Sequence, residues 1–247
     1  MPSVPEHTII EARGLTIGYG ETVILTALDF KVPAGQVFAI LGGSGSGKST
    51  LLRNLIGLDQ TLGGRILVDG APPAQELGPP RFGVLFQSAA LFGSMTLAQN
   101  VGLPLRKWTD LDDQAIEIVV RAKLRLVGLE GFENHLPAEI SGGMKKRVGI
   151  ARALALDPPL IFLDEPSAGL DPVSSVELDE LILTLNHSLG MTSVIVTHEL
   201  PSIFTIASSC IMVDRGAQSI IARGNPIELR DHSPDPRVRA FFNRRSN

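Results

Sequence analysis

The feature that most constrains the fold is a glycine-rich octet, GGSGSGKS, at residues 42–49, which matches the phosphate-binding pattern G-x-x-x-x-G-K-[ST]. Glycines let the backbone curl until consecutive N–H groups point at phosphate oxygens. The apolar run 36–41 predicts a strand before the octet. Residues 48–56 predict a helix after it, whose free N–H groups and positive dipole end add to the anion site. In this pattern Lys48 reaches the β- and γ-phosphates and Ser49 ligates Mg²⁺. The octet therefore predicts an α/β chain that binds a nucleotide, in preference to a glycine-rich turn without a ligand.

Length and composition narrow the possibilities further. The 247 residues suit one α/β domain with a lobe inserted into it, and a hydrophobic content of 44% supplies a core. The net charge of −4 argues against nucleic acid as a partner, because broad binding to its backbone needs a basic surface. The single cysteine, Cys210, lies in an apolar run and is expected to be a small buried side chain. No uncharged apolar stretch of about 18 residues occurs, so a membrane function would need other chains to cross the bilayer.

The hydrophobic pattern predicts a mixed-sheet, nucleotide-binding lobe that carries a helical insertion. Predicted strands cover 9–19, 22–32, 36–41, 64–69, 82–86, 160–163, 193–197, 209–214 and 219–222. Residues 88–155 are mostly helical in character, with one helix begun by Asp110 or Asp112 and ended by Gly128. A later helix begins at Asp171, with proline in its first turn.

Two adjacent acids, Asp164 and Glu165, end the apolar strand 160–163. Neighbouring side chains at a strand end point in different directions, so the two carboxylates can serve different tasks. Asp164 is expected to hold Mg²⁺, directly or through water, and Glu165 to polarise the attacking water beside the γ-phosphate. Without the glycine-rich octet, the same pair would be interpreted as a solvated strand end.

Two polar residues end other predicted strands. His198 follows the strand 193–197 and can hydrogen-bond a γ-phosphate oxygen, although a surface histidine is the alternative. Gln87 ends the strand 82–86, and its amide can contact Mg²⁺ or the lytic water while it senses the helical lobe.

Residues 140–144, ISGGM, resemble the signature motif L-S-G-G-Q of ABC ATPases. The octet, Gln87, the pair Asp164-Glu165, residues 167–171 and His198 accompany it in the order that the family has. The resemblance extends from Tyr19 to about residue 224. It implies a P-loop ABC ATPase of the α/β class with a mixed β-sheet core lobe, an inserted helical subdomain and an N-terminal antiparallel β subdomain. We expect one domain over 1–247, with a core lobe at about 8–87 and 156–224, a helical subdomain at 88–155 and a tail at 225–247.

The resemblance also implies ATP hydrolysis coupled to transport, by a head-to-tail dimer of two copies that closes on two ATP molecules. Each ATP lies between the P-loop of one copy and the signature of the other, whose helix N-terminus faces the γ-phosphate. The residues then expected at the nucleotide are Tyr19 (against adenine), Gly42, Gly43, Ser44, Gly45, Ser46, Gly47, Lys48, Ser49, Thr50, Ser141, Gly142, Gly143, Met144 and Asp171. The expected catalytic residues are Glu165, His198, Gln87 and Lys48, and the expected Mg²⁺ ligands are Ser49, Gln87 and Asp164.

Two residues depart from the family signature. Ile140 replaces leucine, which is a mild change, and Met144 replaces glutamine, which removes an amide near the nucleotide. The basic run 145–147 that follows predicts a solvated first turn of a helix over 144–156, with some contact to nucleotide or a partner, rather than a nucleic-acid patch, because the rest of the chain is not basic.

Residues 87–92, 103–106 and 141–147 resemble one bacterial subgroup, the ATPases of Mla-type phospholipid transporters, which maintain the lipid asymmetry of the outer membrane. This resemblance implies transmembrane permease subunits, an MCE-domain protein and a STAS-domain protein as partners. It also implies a peripheral location on the cytoplasmic face of the bacterial inner membrane. An importer ATPase for amino acids or ions, or a soluble ABC ATPase without a transport role, are the alternatives.

Two apolar segments are candidates for partner contacts. Residues 235–242 predict a short helix with a stripe of Val238, Phe241 and Phe242, which packs either on its own domain or on a partner. A second set is expected either to shape a groove for a permease helix or to be plain core. Its members are Leu91, Phe92, Met95 and Leu97.

Overall fold

The computed structural model describes residues 7–73 and 78–243. The strands are β1 (Thr8–Tyr19), β2 (Thr22–Pro33), β3 (Val37–Leu41), β4 (Gly63–Val68), β5 (Phe82–Leu85), β6 (Leu160–Asp164), β7 (Thr192–Val196), β8 (Ser209–Asp214) and β9 (Ser219–Gly224). The helices are α1 (Lys48–Leu55), α2 (Leu97–Trp108), α3 (Asp113–Leu126), α4 (Gly142–Ala153), α5 (Pro172–Leu189), α6 (Leu200–Ile206), α7 (Pro226–His232) and α8 (Pro236–Phe242), with a 3₁₀ turn at Pro137–Glu139. Within this described part, no helix has both the length and the apolar character that a membrane crossing requires.

The strands form two sheets, which confirms the predicted combination of a mixed sheet and an N-terminal antiparallel sheet. The N-terminal sheet has the order β2-β1-β4 and is antiparallel. The larger sheet has the order β5-β6-β7-β3-β8-β9 and is parallel except for β9, which runs antiparallel to β8. The carboxyl ends of its parallel strands lie along one edge, where ligands of α/β sheets bind. The glycine-rich octet follows β3 at that edge.

Helices α2, α3 and α4 lie between β5 and β6 in the chain and pack on one another. Helix α2 begins with a complete capping box, in which Thr96 and Gln99 exchange side-chain and backbone hydrogen bonds. Helix α3 begins at the Asp112 cap, so the second of the two predicted start residues is correct. Gly128, which follows α3, has a φ of 73°, the left-handed conformation typical of a helix stop.

Among the residues that the structure describes, three buried clusters hold the layers together. The first joins α2 to α5 with one face of the larger sheet, and the second fills the space between the two sheets and α1. The third lies under α6 and α8 and contains Val238 and Phe242. Cys210 belongs to this third cluster. Burial raises the pKa of its thiol to about 12.

The strand predictions agree with the structure to within two residues at each end. The predicted helix over 144–156 begins and ends earlier in the structure, since α4 covers Gly142–Ala153. Ser141 caps this helix, and its Oγ accepts a hydrogen bond from Met144 N. Helices α6 and α7 were not predicted individually, since each has only seven residues and shows little periodicity. The Asn225-Pro226 pair that begins α7 is a cap signal that could have located it.

Candidate functional site

The octet forms a loop between β3 and α1 that only glycine can complete at two positions. Gly42 has a φ of 152°, and a Cβ there would overlap the carbonyl oxygen of Val213 and the side chain of Ser46. Gly47 caps α1 with a φ of 101°, and a Cβ there would lie 2.8 Å from Cγ2 of Ile24. The backbone is therefore curled as the sequence predicts for a phosphate cradle.

Lys48 places its ammonium group against this loop. Its Nζ donates hydrogen bonds to the carbonyl oxygens of Gly42 and Gly43, each at 2.9 Å. Burial lowers the pKa of the Lys48 amine, and the carboxylates of Glu165 and Asp164 oppose that shift. The amine and the two acids, which are far apart in the sequence, therefore share one electrostatic site.

A pocket of about 450 Å³ opens beside the loop. It is lined by Tyr19, Thr22, Ile24, Gly45, Ser46, Gly47, Lys48, Ser49, Thr50 and Arg215. Tyr19 is 53% exposed, and its hydroxyl lies 3.0 Å from Oγ1 of Thr50, within hydrogen-bond distance. Ser49 is exposed toward the same space.

Sequence reasoning missed Arg215 as a residue of this pocket. It lies in the turn between β8 and β9, and β8 is the parallel neighbour of β3. An arginine directly after a strand is not a motif. Only the order of the strands brings its guanidinium within 3.8 Å of where a Cβ on Gly45 would lie.

The two acids at the end of β6 are partly buried. Glu165 has a φ of 46°, its Oε1 lies 2.8 Å from Nδ1 of His198, and its Oε2 is buried without a hydrogen-bond partner. Oδ1 of Asp164 is likewise buried and unpartnered. Burial and then the neighbouring Glu165 raise the pKa of Asp164, whereas Lys146 and Lys48 lower it.

This donor set suits Mg²⁺. A bound cation would compensate the buried, unpartnered Oδ1 of Asp164, and the exposed hydroxyl of Ser49 on the octet would supply a second oxygen. Among the described residues, no group of three His, Cys, Asp or Glu side chains is arranged to hold a metal ion. Mg²⁺ commonly takes one or two protein ligands together with phosphate oxygens and water, so the two observations are compatible.

Lys146 corrects one expectation. The run 145–147 was expected to form a solvated turn, but Lys146 is only 5% exposed. Its Nζ donates to the carbonyl oxygens of Gln87, at 2.6 Å, and Glu165, at 3.1 Å. The expectation is wrong here because α4 packs against β5, and this face of the helix meets the strand ends. The Gln87 residue itself is exposed.

The signature residues lie outside the pocket of their own chain. Ser141 and Gly142 are exposed at the start of α4, and Cβ atoms on Gly142 and Gly143 would contact Leu170 and Ser174 near the start of α5. Asp171 caps α5, because its Oδ1 accepts hydrogen bonds from the backbone N–H groups of Val173 and Ser174. The exposed N-terminus of the twelve-residue α4 is a site where a second molecule could present an anion.

The apolar set near the start of α2 is only partly accessible. Leu97 is fully buried, Phe92 is 55% exposed, and Leu91 and Met95 are half-buried. Leu97 is therefore core, as one of the two alternatives predicted, and the other three remain candidates for a partner contact.

Comparison with known proteins agrees with this geometry. The sequence model of the family described as "ABC transporter" matches residues 25–168. A protein of Mycobacterium leprae, "Probable ribonucleotide transport ATP-binding protein mkl", is 44% identical, and the match covers 98% of this chain and 71% of that protein. "Intermembrane phospholipid transport system ATP-binding protein MlaF" of Escherichia coli is 40% identical, with 95% and 88% covered.

One solved structure bears on assembly. It is described as the "Dimeric structure of a post-hydrolysis state of the ATP-binding cassette MJ0796 bound to ADP and Pi". Its TM-score is 0.76 and its sequence identity is 29%, with 87% of this chain and 98% of that chain covered.

Proposed function

The chain belongs to the ABC transporter family and is an ATP-hydrolysing transporter subunit, and from this premise we propose that it energises phospholipid transport between the inner and outer membranes of a bacterium. The observation that carries the ATPase chemistry is the convergence of the octet, Lys48, Asp164, Glu165 and His198 at one sheet edge. The 40% identity to a phospholipid-transport ATPase over 95% of this chain supports the cargo.

In the proposed reaction, the octet and Lys48 hold the β- and γ-phosphates of ATP. Tyr19 stacks on adenine, worth roughly 0.5–1.5 kcal/mol. The oxygen of a water molecule forms a bond to the γ-phosphorus as the bond to the β–γ bridging oxygen breaks, which yields ADP and phosphate. Glu165 takes the water proton, and its buried, unpartnered Oε2 is the oxygen available to do so.

His198 and the metal ligands complete this proposal. An ionised Glu165 only accepts hydrogen bonds, so Nδ1 of His198 is the donor in the hydrogen bond between the two side chains. Nε2 then donates to a phosphate oxygen only when the ring is an imidazolium. Ser49, Gln87 and Asp164 would hold Mg²⁺, which when bound neutralises phosphate charge.

We further propose that two copies pair head to tail. Ser141, Gly142, Gly143 and Met144 of one copy then face the γ-phosphate held by the other, and Asp171 connects the two sites. The dimeric state of a relative bound to ADP and phosphate supports this arrangement. The pair would lie on the cytoplasmic face of the inner membrane against transmembrane permease subunits, with an MCE-domain protein and a STAS-domain protein in the same complex.

A second candidate cargo comes from the relative that is 44% identical, whose name refers to ribonucleotide transport. The two cargoes differ in where they partition. A phospholipid enters from the bilayer, whereas a ribonucleotide enters from water.

The experiment purifies the membrane complex through a tag on this chain and reconstitutes it in liposomes. We expect ATP-dependent transfer of a fluorescent phospholipid to acceptor vesicles, and loss of both transfer and ATP hydrolysis in Lys48→Ala. ATP-driven uptake of a labelled ribonucleotide without lipid transfer would support the second cargo instead. Equal hydrolysis by Lys48→Ala and wild type would contradict the proposed site.

A further inference from the structure

Lys146 joins three parts of the site that the sequence keeps far apart. It lies on α4, two residues after Met144, and its Nζ bonds the carbonyl oxygens of Gln87 and Glu165. These carbonyls follow adjacent parallel strands. The register of β5 and β6 pairs Leu85 with Leu163, so two further residues bring Gln87 level with Glu165. One ammonium group therefore spans the ends of both strands.

A buried cation needs compensation, because its removal from water is unfavourable. The two carbonyls provide hydrogen bonds, and the carboxylates of Asp164 and Glu165 provide favourable charge. An apolar side chain of similar length would fill the same space without that cost.

The backbone that Lys146 holds is strained. Glu165 has a φ of 46°, a left-handed conformation that is unfavourable for a non-glycine residue and persists only where the surrounding structure holds it. After Gln87, Ala89 and Ala90 have φ values of 60° and 47°. Their carbonyl oxygens each accept a hydrogen bond at 2.8 Å from Arg152, which also lies on α4. Helix α4 therefore holds the segment 87–90 through two cations, but only Lys146 also reaches Glu165.

We propose that Lys146 is a positioning residue for ATP hydrolysis, which sets the Glu165 carboxylate against the lytic water through the backbone carbonyls of Glu165 and Gln87. The inference rests on the proposed role of Glu165 as the base. A misplacement of about 1 Å at a reacting group can cost up to 10²-fold in rate. Because Lys146 belongs to the signature helix, a shift of α4 would move the base as well.

The test compares Lys146→Met with Lys146→Arg and Lys146→Gln in the full-length chain, and measures kcat, the KM for ATP and Tm. Lys123→Met is the matched control. Lys123 is another buried lysine of the helical layer, 8% exposed, but it pairs with Asp157 instead. We expect Lys146→Met to lower kcat at least tenfold with KM changed less than twofold. Arginine and glutamine, which can still donate to a carbonyl, should restore part of kcat. Lys123→Met should keep kcat within twofold, whatever its effect on Tm.

Two outcomes overturn the inference: a kcat for Lys146→Met within twofold of wild type, or an equal loss of kcat in Lys123→Met. If Lys146→Met does not fold, Lys146→Gln provides the test. Its single amide can replace only part of the contact, so its kcat should lie below that of Lys146→Arg but above zero. A Glu165→Gln arm separates the two hypotheses. If Glu165→Gln still hydrolyses ATP, Glu165 is not the base. If Glu165→Gln is inactive but the Lys146 variants hydrolyse ATP at the normal rate, only the positioning role of Lys146 is excluded.

Discussion

At the scale of single residues, the site is built from charges that the folded chain does not fully compensate. Asp164 is the clearest case, because its Oδ1 is buried without a donor and burial raises its pKa. A carboxyl group with a raised pKa favours the folded state when protonated. That contribution is present below its unfolded pKa and is lost as pH rises through the folded pKa. At neutral pH, Asp164 therefore lowers the stability of the nucleotide-free chain.

We expect Asp164→Asn to raise Tm at pH 7 and to abolish ATP hydrolysis, because the amide removes both the buried charge and the metal ligand. Each kcal/mol gained corresponds to about 2–4 °C in a chain of this length. The gain should shrink as pH falls through the raised folded pKa of Asp164 toward about 4, the ordinary pKa of aspartate, below which the carboxyl is protonated in both states. Calorimetry between pH 4 and 8 measures it, with Asp110→Asn in an exposed loop as control. A lower Tm than wild type at pH 7 would contradict this account.

The residues that form continuous motifs could be predicted, and those that reach the site through packing could not. The octet and Asp164-Glu165 carry their chemistry in their spacing. Lys146 was interpreted wrongly because its neighbours in sequence are basic, whereas its neighbours in space are two carbonyls and two carboxylates. Arg215 carried no signal until the strand order was known.

At the scale of secondary structure, the C-terminal helix α8 settles one open alternative. Its start was predicted from Asp235-Pro236, and the Asp235 carboxylate accepts a hydrogen bond from Arg237 N at 2.8 Å. Val238 and Phe242 are buried in the cluster that α6 and β8 share, and the ring of Phe242 lies 5.6 Å from that of Phe204. These two side chains pack on their own domain. The sequence periodicity predicted the apolar stripe of the helix but not the surface against which it packs, because such a stripe fits any apolar surface of similar width.

We expect Phe242→Ala to lower the free energy of unfolding by about 3 kcal/mol, as truncation of a buried phenylalanine usually does. Phe241→Ala is the matched control on the same helix. Its side chain is only half-buried, so its loss should be clearly smaller. Urea unfolding of both variants measures the difference. Equal losses would mean that α8 does not pack as described.

At the scale of the whole molecule, one copy carries both halves of the proposed nucleotide clamp, and the signature half lies outside the pocket of its own chain. The pocket opens beside α1, whereas the signature begins α4 and lies against the start of α5. The alternation of apolar strands with helices predicted the larger sheet, since strands that are apolar throughout must be covered on both faces of the sheet. It could not give the distance between the two halves, because that depends on how the helical layer packs on β5.

We expect Glu165→Gln to form a stable dimer with ATP, because the triphosphate stays intact between the cradle of one copy and the helix N-terminus of the other. ADP lacks the terminal phosphate and should leave the variant monomeric. Sedimentation velocity with each nucleotide measures this. Glu165→Gln combined with Lys48→Ala serves as the control that should not pair. A mass that is independent of nucleotide would exclude phosphate-mediated pairing.

The burial of Cys210 has a practical consequence for measuring the pairing of two copies. Cys210 is 1% exposed, and the pKa of its thiol is raised to about 12, so the thiol is protonated at neutral pH. Thiol-reactive dyes and spin labels will therefore not modify it in the folded chain. Since it is the single native cysteine, one cysteine engineered on the surface becomes the sole reactive position on each copy. Distance measurements by fluorescence or electron resonance between two labelled copies can therefore use a chain whose own cysteine is left in place.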